Sequence, residues 1–170
     1  MPDAPQKPIG PAKPSKLLLR SFLRPPYIFL RLGLLGYERF LGQEWIAITT
    51  TGRRTGKPHT VLLDLVAHDA KTGRYYIQPG WPRGSDWVRN IEVNPLVEAQ
   101  VGRRRFAGKV VRVAGAEGAE WAYRFGQKHP FSSYLIGKLM LGWELPTAGG
   151  EGAVREWMAQ NFVFFAVEPI

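Results

Sequence analysis

The chain has 170 residues, a length that suits one domain around a single core, and 45% of them are apolar, too many for a disordered protein. The formal charge of +9 favours acidic partners such as a phosphorylated cofactor, an anionic membrane or nucleic acid. There is no cysteine, which excludes disulfides, thiolate catalysis and cysteine zinc sites.

Residues 1–15, "MPDAPQKPIGPAKPS", carry five prolines and read as an extended, disordered tail. Residues 16–43 read as basic amphipathic helices. Lys13, Lys16, Arg20 and Arg24 step by three or four along one face, with Leu17, Leu18, Leu19, Phe22 and Leu23 beside them. Pro25-Pro26 ends the first helix, and a second runs from Pro26 to about Gly36 or Phe40. Through residue 31 six basic residues oppose a single Asp3, so much of the net charge is local to this leader. Two readings of residues 16–36 stand side by side. In one, they lie on an anionic membrane surface; in the other, their leucines pack on the domain and their charges are solvated. No apolar run reaches the ~18 residues of a membrane span and no signal-peptide pattern opens the chain, so cytoplasmic residence is expected.

Beyond residue 44 the hydrophobic period shortens towards two. Strands are expected near 45–50, 60–68, 74–79, 96–102, 105–114 and 162–168. Their spacing predicts an antiparallel meander closing into a barrel over residues 44–170, a mainly β fold with flanking helices. "SDWVRNIEVNP" opens on the capping residue Ser85 and stops before Pro95, and a further helix is expected from about Ala116 to Lys128. Residues 131–158 are expected to be helical at both ends, with a loose glycine-rich join at Thr147–Gly152. No internal repeat is present.

Familiar hydrolytic signatures are absent. The three histidines, His59, His68 and His129, lie far apart, and neither HExxH nor GxSxG occurs, so no metal site is expected. "TTTGRRTGKPHT" is not a triphosphate loop either, because three residues separate Gly52 from Gly56 and Pro58 follows Lys57. It still suits an anion. Glycines allow a backbone nest, and Arg53 and Arg54 carry forks matched to phosphate or carboxylate. Read alone, it is equally a solvated basic hairpin. The second candidate is "QPGWPRGSDWVRN", where a strand turns at Gly80 and Gly84 into a helix N-terminus, a natural anion site. There Arg83 precedes the helix, Trp81 and Trp87 either flank a flat ring or are a surface hydrophobe and a core residue respectively, and Asn90 reaches a ring edge or hydroxyl.

Together, Thr50–Gly56 as T-T-G-R-x-[ST]-G and Trp87, Asn90, Asn94 and Pro95 as W-x-x-N-x-x-x-N-P resemble the deazaflavin-dependent nitroreductase family. The likeness covers roughly residues 45–130 and the last strand, "FVFFAVEP". It implies an antiparallel split β-barrel of the FMN-binding type. It also implies a deazaflavin cofactor (coenzyme F-420 type) and hydride transfer to a hydrophobic acceptor such as a quinone, enone or nitro compound. By this resemblance Thr51, Gly52, Arg53, Arg54, Thr55, Gly56 and His59 serve the cofactor's phosphate side. Gly80, Trp81, Arg83, Ser85, Asp86, Trp87 and Asn90 line its ring and ribityl chain, and Tyr134 meets the substrate as the catalytic candidate.

This sequence departs from the nitro-reducing pattern in two places. Pro79–Arg83 replaces a Ser-Lys-Gly-Gly type of loop, and "HPFSSYLIG" retains only Tyr134 where tyrosines are expected. Leu135, Ile136, Leu139, Met140, Leu141 and Trp143 either cover a hydrophobic substrate or pack on the barrel. The alternatives to the deazaflavin are FMN or haem in the same barrel, or a non-enzymatic carrier. Nucleic-acid binding, hinted at by "GRRRFAGKVVR", is disfavoured because so much charge lies in the leader. The protein is expected to be a monomer or homodimer.

Overall fold

The computed structural model describes residues 28, 30–34, 44–79, 85–130, 133 and 144–170. The expected tail (1–15) and first amphipathic helix lie outside these residues, as do Gly80, Trp81, Arg83, Gly84, Tyr134 and most of the apolar excursion. Where the second leader helix is described, it ends sooner than expected. Leu32 closes on the Ile28 carbonyl (2.9 Å), and Gly33 then leaves with φ 69°, a left-handed exit that stops the helix well short of Gly36.

Among the described residues six strands form one closed antiparallel barrel: β1 (Trp45–Thr51), β2 (Pro58–His68), β3 (Tyr75–Ile77), β4 (Leu96–Val101), β5 (Arg104–Val113) and β6 (Phe164–Pro169). Around the barrel the order is β1-β2-β3-β6-β5-β4, so the expected simple meander is corrected. Two three-stranded meanders, β1-β2-β3 and β4-β5-β6, are joined along β1–β4 and β3–β6. Closure leaves no long free edge, which removes the hazard of exposed ladder groups.

Alternation explains which residues face inward. Ile46 and Ile48 of β1, Leu65, Tyr75 and Ile77, Val97 and Ala99, Val110, and Phe165 and Val167 fill the interior. The β3-to-β4 connection carries α1 (Asp86–Val93), which sends Trp87, Val88 and Ile91 into the same core and stoppers that end of the barrel. Trp87 meets Phe165 edge-on at 5.6 Å between ring centroids.

The outer wall is covered separately. Helices α2 (Gly115–Lys128) and α3 (Gly150–Asn161) enclose Tyr76, Val113, Ala119, Ala122, Met158, Phe162, Phe164 and Ala166. Gly118 of α2 rests directly on the Phe164 ring, where a Cβ would collide with the ring. Arg74 links Glu117 of α2 (3.5 Å) to Glu168 of β6 (2.7 Å), and the Tyr76 hydroxyl donates to Glu117 (2.5 Å). On another wall Leu30 and Trp45 cover Ala47 and Leu62.

Helix α3 corrects one expectation. The glycine-rich join is not loose throughout, because the helix begins inside it at Gly150, after Gly149 with φ 89°. The weak propensity of Gly150 and Gly152 yields to the burial of Met158 against the outer wall.

Candidate functional site

The β1–β2 connection, Gly52–Lys57, stands at the barrel end that α1 closes. Thr51 pairs with Pro58, and the Gly52 amide donates to the Lys57 carbonyl (2.8 Å). Thr55 and Gly56 donate to the Gly52 carbonyl at 3.2 and 2.8 Å, and the Lys57 amide reaches Thr55 Oγ1 at 3.3 Å. An anion nest needs amides aimed outward. Here the amides of Gly52, Arg53, Thr55, Gly56 and Lys57 are all used inside the protein, so an anion would meet side chains instead. Only Gly56 takes positive φ (65°); Gly52 is needed for close approach, since a Cβ there would lie 2.8 Å from both His59 Cδ2 and Thr55 Oγ1.

The two sequence motifs converge in space. Asn90, 2% exposed, accepts from the Arg53 amide (3.2 Å) and from Arg53 Nη1 (3.1 Å) through one oxygen. Its Nδ2 donates to Thr50 Oγ1 at 3.1 Å, and Thr50 in turn donates to the His59 carbonyl at 3.3 Å. Arg53 Nη1 also pairs with Asp86 Oδ1 at 3.1 Å, in the first turn of α1. Thr50, 1% exposed, was not among the expected site residues. Its strand parity, shared with Ile46 and Ile48, is the one signal in the sequence that placed it inward.

Around this knot the side chains divide by exposure. Arg54, Thr55, Gly56, Lys57 and His59 are exposed, as are Thr51 and Asp86, while Arg53 is half-buried. Trp87 and Asn90 are buried among protein groups, so the structure places Trp87 in the core and turns the Asn90 carboxamide towards Arg53 and Thr50. Ser85 precedes α1 with extended backbone and makes no side-chain capping bond. Lys57, absent from the expected set, adds a cation to the exposed side of the turn.

His129, at the C-terminus of α2, packs at a tilt against Phe125, 4.7 Å between ring centroids. Burial pushes its pKa below the usual imidazole value, Lys128 adds to that, and Glu44 at the start of β1 opposes it. Among the described residues no group of three or more His, Asp or Glu side chains converges as a metal site would. No described helix is long and apolar enough to cross a membrane.

Among solved structures, the chain is similar to an F420-H2 dependent reductase (FDR-A), with 22% identity and a TM-score of 0.48, over 73% of this chain and 93% of that one. It is also similar to a protein related to general stress protein 26, of the pyridoxinephosphate oxidase family, from Clostridium acetobutylicum: 10% identity, TM-score 0.48, 83% of each chain. A pyridoxamine 5′-phosphate oxidase-related, FMN binding protein from Nostoc punctiforme matches at 16% identity and TM-score 0.46, over 94% of this chain and 82% of that one. Likenesses this distant do not decide the family; the sequence does. The model of the F420H(2)-dependent quinone reductase family matches residues 33–136, more than half of the chain and both motifs of the site, and the chain belongs to that family of deazaflavin-dependent reductases.

Proposed function

We propose that this chain reduces a hydrophobic acceptor, a quinone in the first place and an enone or nitro compound in the wider class, at the expense of reduced deazaflavin. The observation that carries this reading is the cationic turn Gly52–Lys57 held against α1 by Asn90 and Asp86. A phosphate-and-glutamate tail needs fixed cations near the surface, and Arg53, Arg54 and Lys57 supply them. The residues present therefore fit the cofactor.

When bound, the reduced deazaflavin supplies a hydride, and the acceptor gains that hydride plus one solvent proton while the deazaflavin is oxidised. The chain's own task is to bind, orient and exclude water. Arg54, Lys57 and the outer donors of Arg53 hold the anionic tail, and Thr51, Thr55 and His59 line the same side. Gly80, Trp81, Arg83, Ser85 and Asp86 are assigned to the ring and ribityl side, Tyr134 to the acceptor. Trp87, buried against Phe165, keeps the N-terminal turn of α1 in place behind them. Residues 44–170 form the cofactor-binding unit in this reading. The exposed Ile28, Leu32 and Leu34, together with Arg31, support contact of the leader with an anionic membrane, where a lipid-soluble acceptor resides.

Fluorescence titration of the purified protein with the deazaflavin is the first test, with a Kd on the order of micromolar expected. Reoxidation of the reduced cofactor is then followed with a naphthoquinone, an enone and a nitroaromatic in turn. Absence of binding sinks the proposal. Flavin or haem bands in the spectrum of the protein as purified favour the alternative cofactors.

A further inference from the structure

A carboxamide excluded from water is costly unless its oxygen and nitrogen are matched. Asn90 is matched in a specific way: among the described residues it makes three contacts, all to one turn and the strand that leads into it. Its oxygen takes the backbone of Arg53 (3.2 Å) and the guanidinium of the same residue (3.1 Å), and its nitrogen takes Thr50 (3.1 Å). The guanidinium contacts to Asn90 and to Asp86 both use Nη1. Nη2 and Nε of Arg53 have no partner among the described residues, and a guanidinium has five N–H donors in a fixed plane. Holding one corner of that plane therefore aims the others.

We infer that Asn90 is a positioning residue for the anionic end of the cofactor, an inference that rests on the deazaflavin reading above. It does not touch the ligand. It ties the first arginine of the turn, backbone and side chain together, to the wall of α1, so that the free edge of Arg53 and the exposed Arg54 and Lys57 stay on one side. Without it Asp86 is the one side-chain partner left to Arg53 among the described residues, its side chain is 78% exposed, and a surface ion pair holds a long side chain weakly. The turn would still carry its charge but would lose its aim.

The test compares two probes on the full chain. One is the deazaflavin with its phosphodiester and glutamate tail, and the other is the same deazaflavin with a ribityl chain and no phosphate. Asn90→Ala is expected to weaken the tailed probe roughly tenfold or more, the scale of one charge-assisted hydrogen bond. It leaves the tailless probe within about twofold, a change too small to count as a lost contact. The salt dependence of tailed binding also flattens, because fewer charges are held near the anion. Asn90→Asp, nearly isosteric and still able to accept from Arg53, is expected to keep the preference for the tail that the alanine variant loses. It carries the test alone where the alanine variant does not fold.

Equal weakening of both probes overturns the inference and returns Asn90 to the ring edge. Unchanged binding of the tailed probe to Asn90→Ala overturns it too, as does loss of the tail preference in Asn90→Asp. Wild-type protein that binds neither probe breaks the deazaflavin reading itself, an outcome distinct from all of these.

Discussion

Gly-Arg-Arg occurs at Gly52–Arg54 and again at Gly102–Arg104, and each time it helps turn one barrel strand into the next. The second is a two-residue hairpin, with Val101 paired to Arg104 and Gly102 at φ 55° in its first central position. Gln100, only two residues away, closes it by donating to the Gly102 carbonyl (2.9 Å) and accepting from Arg105 Nε (2.9 Å). Arg104 donates to the Tyr75 hydroxyl at 3.2 Å and lies over Phe106, in a stack that continues through Tyr75 to His68. The first turn is also held by a carboxamide, but one that arrives from thirty-seven residues downstream on α1. One tripeptide thus makes a locally sealed hairpin at one site and a cationic surface braced from outside at the other. What separates them is the neighbour that the fold delivers.

Substitutions can break that contrast, and the largest effect belongs to the remote brace. Asn90→Ala should lower unfolding stability by about 2–4 kcal/mol, since it leaves the Arg53 amide unmatched and takes a donor from the buried Thr50 hydroxyl. Urea denaturation measures this, and a loss as small as that of a surface substitution would mean that the turn does not depend on α1. Next comes Arg54→Ala, expected to weaken tailed-deazaflavin binding by about 1.4 kcal/mol, or tenfold, while the thermal midpoint stays put.

The hairpin's glycine ranks third. Gly102→Ala forces a side chain into left-handed backbone and should cost roughly 1 kcal/mol of stability, with cofactor affinity unaltered. A drop in affinity there would show that the two turns cooperate. Smallest is Arg103→Ala, expected to stay within about 0.5 kcal/mol of wild type in stability and to leave binding unchanged. Should it match Arg54→Ala in affinity, charge alone would explain both turns and the bracing would be irrelevant.

Much of the barrel is legible in the sequence. All six strands fall where alternating β-branched and aromatic residues foretell them, to within a few residues, and α1 and α2 lie within a residue or two of their expected bounds. Those signals are local, written within a turn or two of the element they specify. The order of strands is not legible, because β3 and β6 meet across some ninety residues and nothing within either segment names its partner. The end of the leader helix at Gly33 and the start of α3 at Gly150 depart from expectation for a related reason. A glycine can end a helix or open one, and the packing of its neighbours decides.

The same division runs through the site. By itself, the sequence determined that a glycine-arginine turn follows β1, that a Trp-x-x-Asn helix follows β3, and that the chain is rich in cations but lacks cysteine. Only the tertiary structure decided that Trp87 belongs to the core, that most of the turn's amides are bonded within the protein, and that Asn90 reaches back to Arg53 and Thr50. The physical reason is that a buried polar group takes whatever partners barrel closure brings within hydrogen-bond reach, and closure is a property of the whole chain.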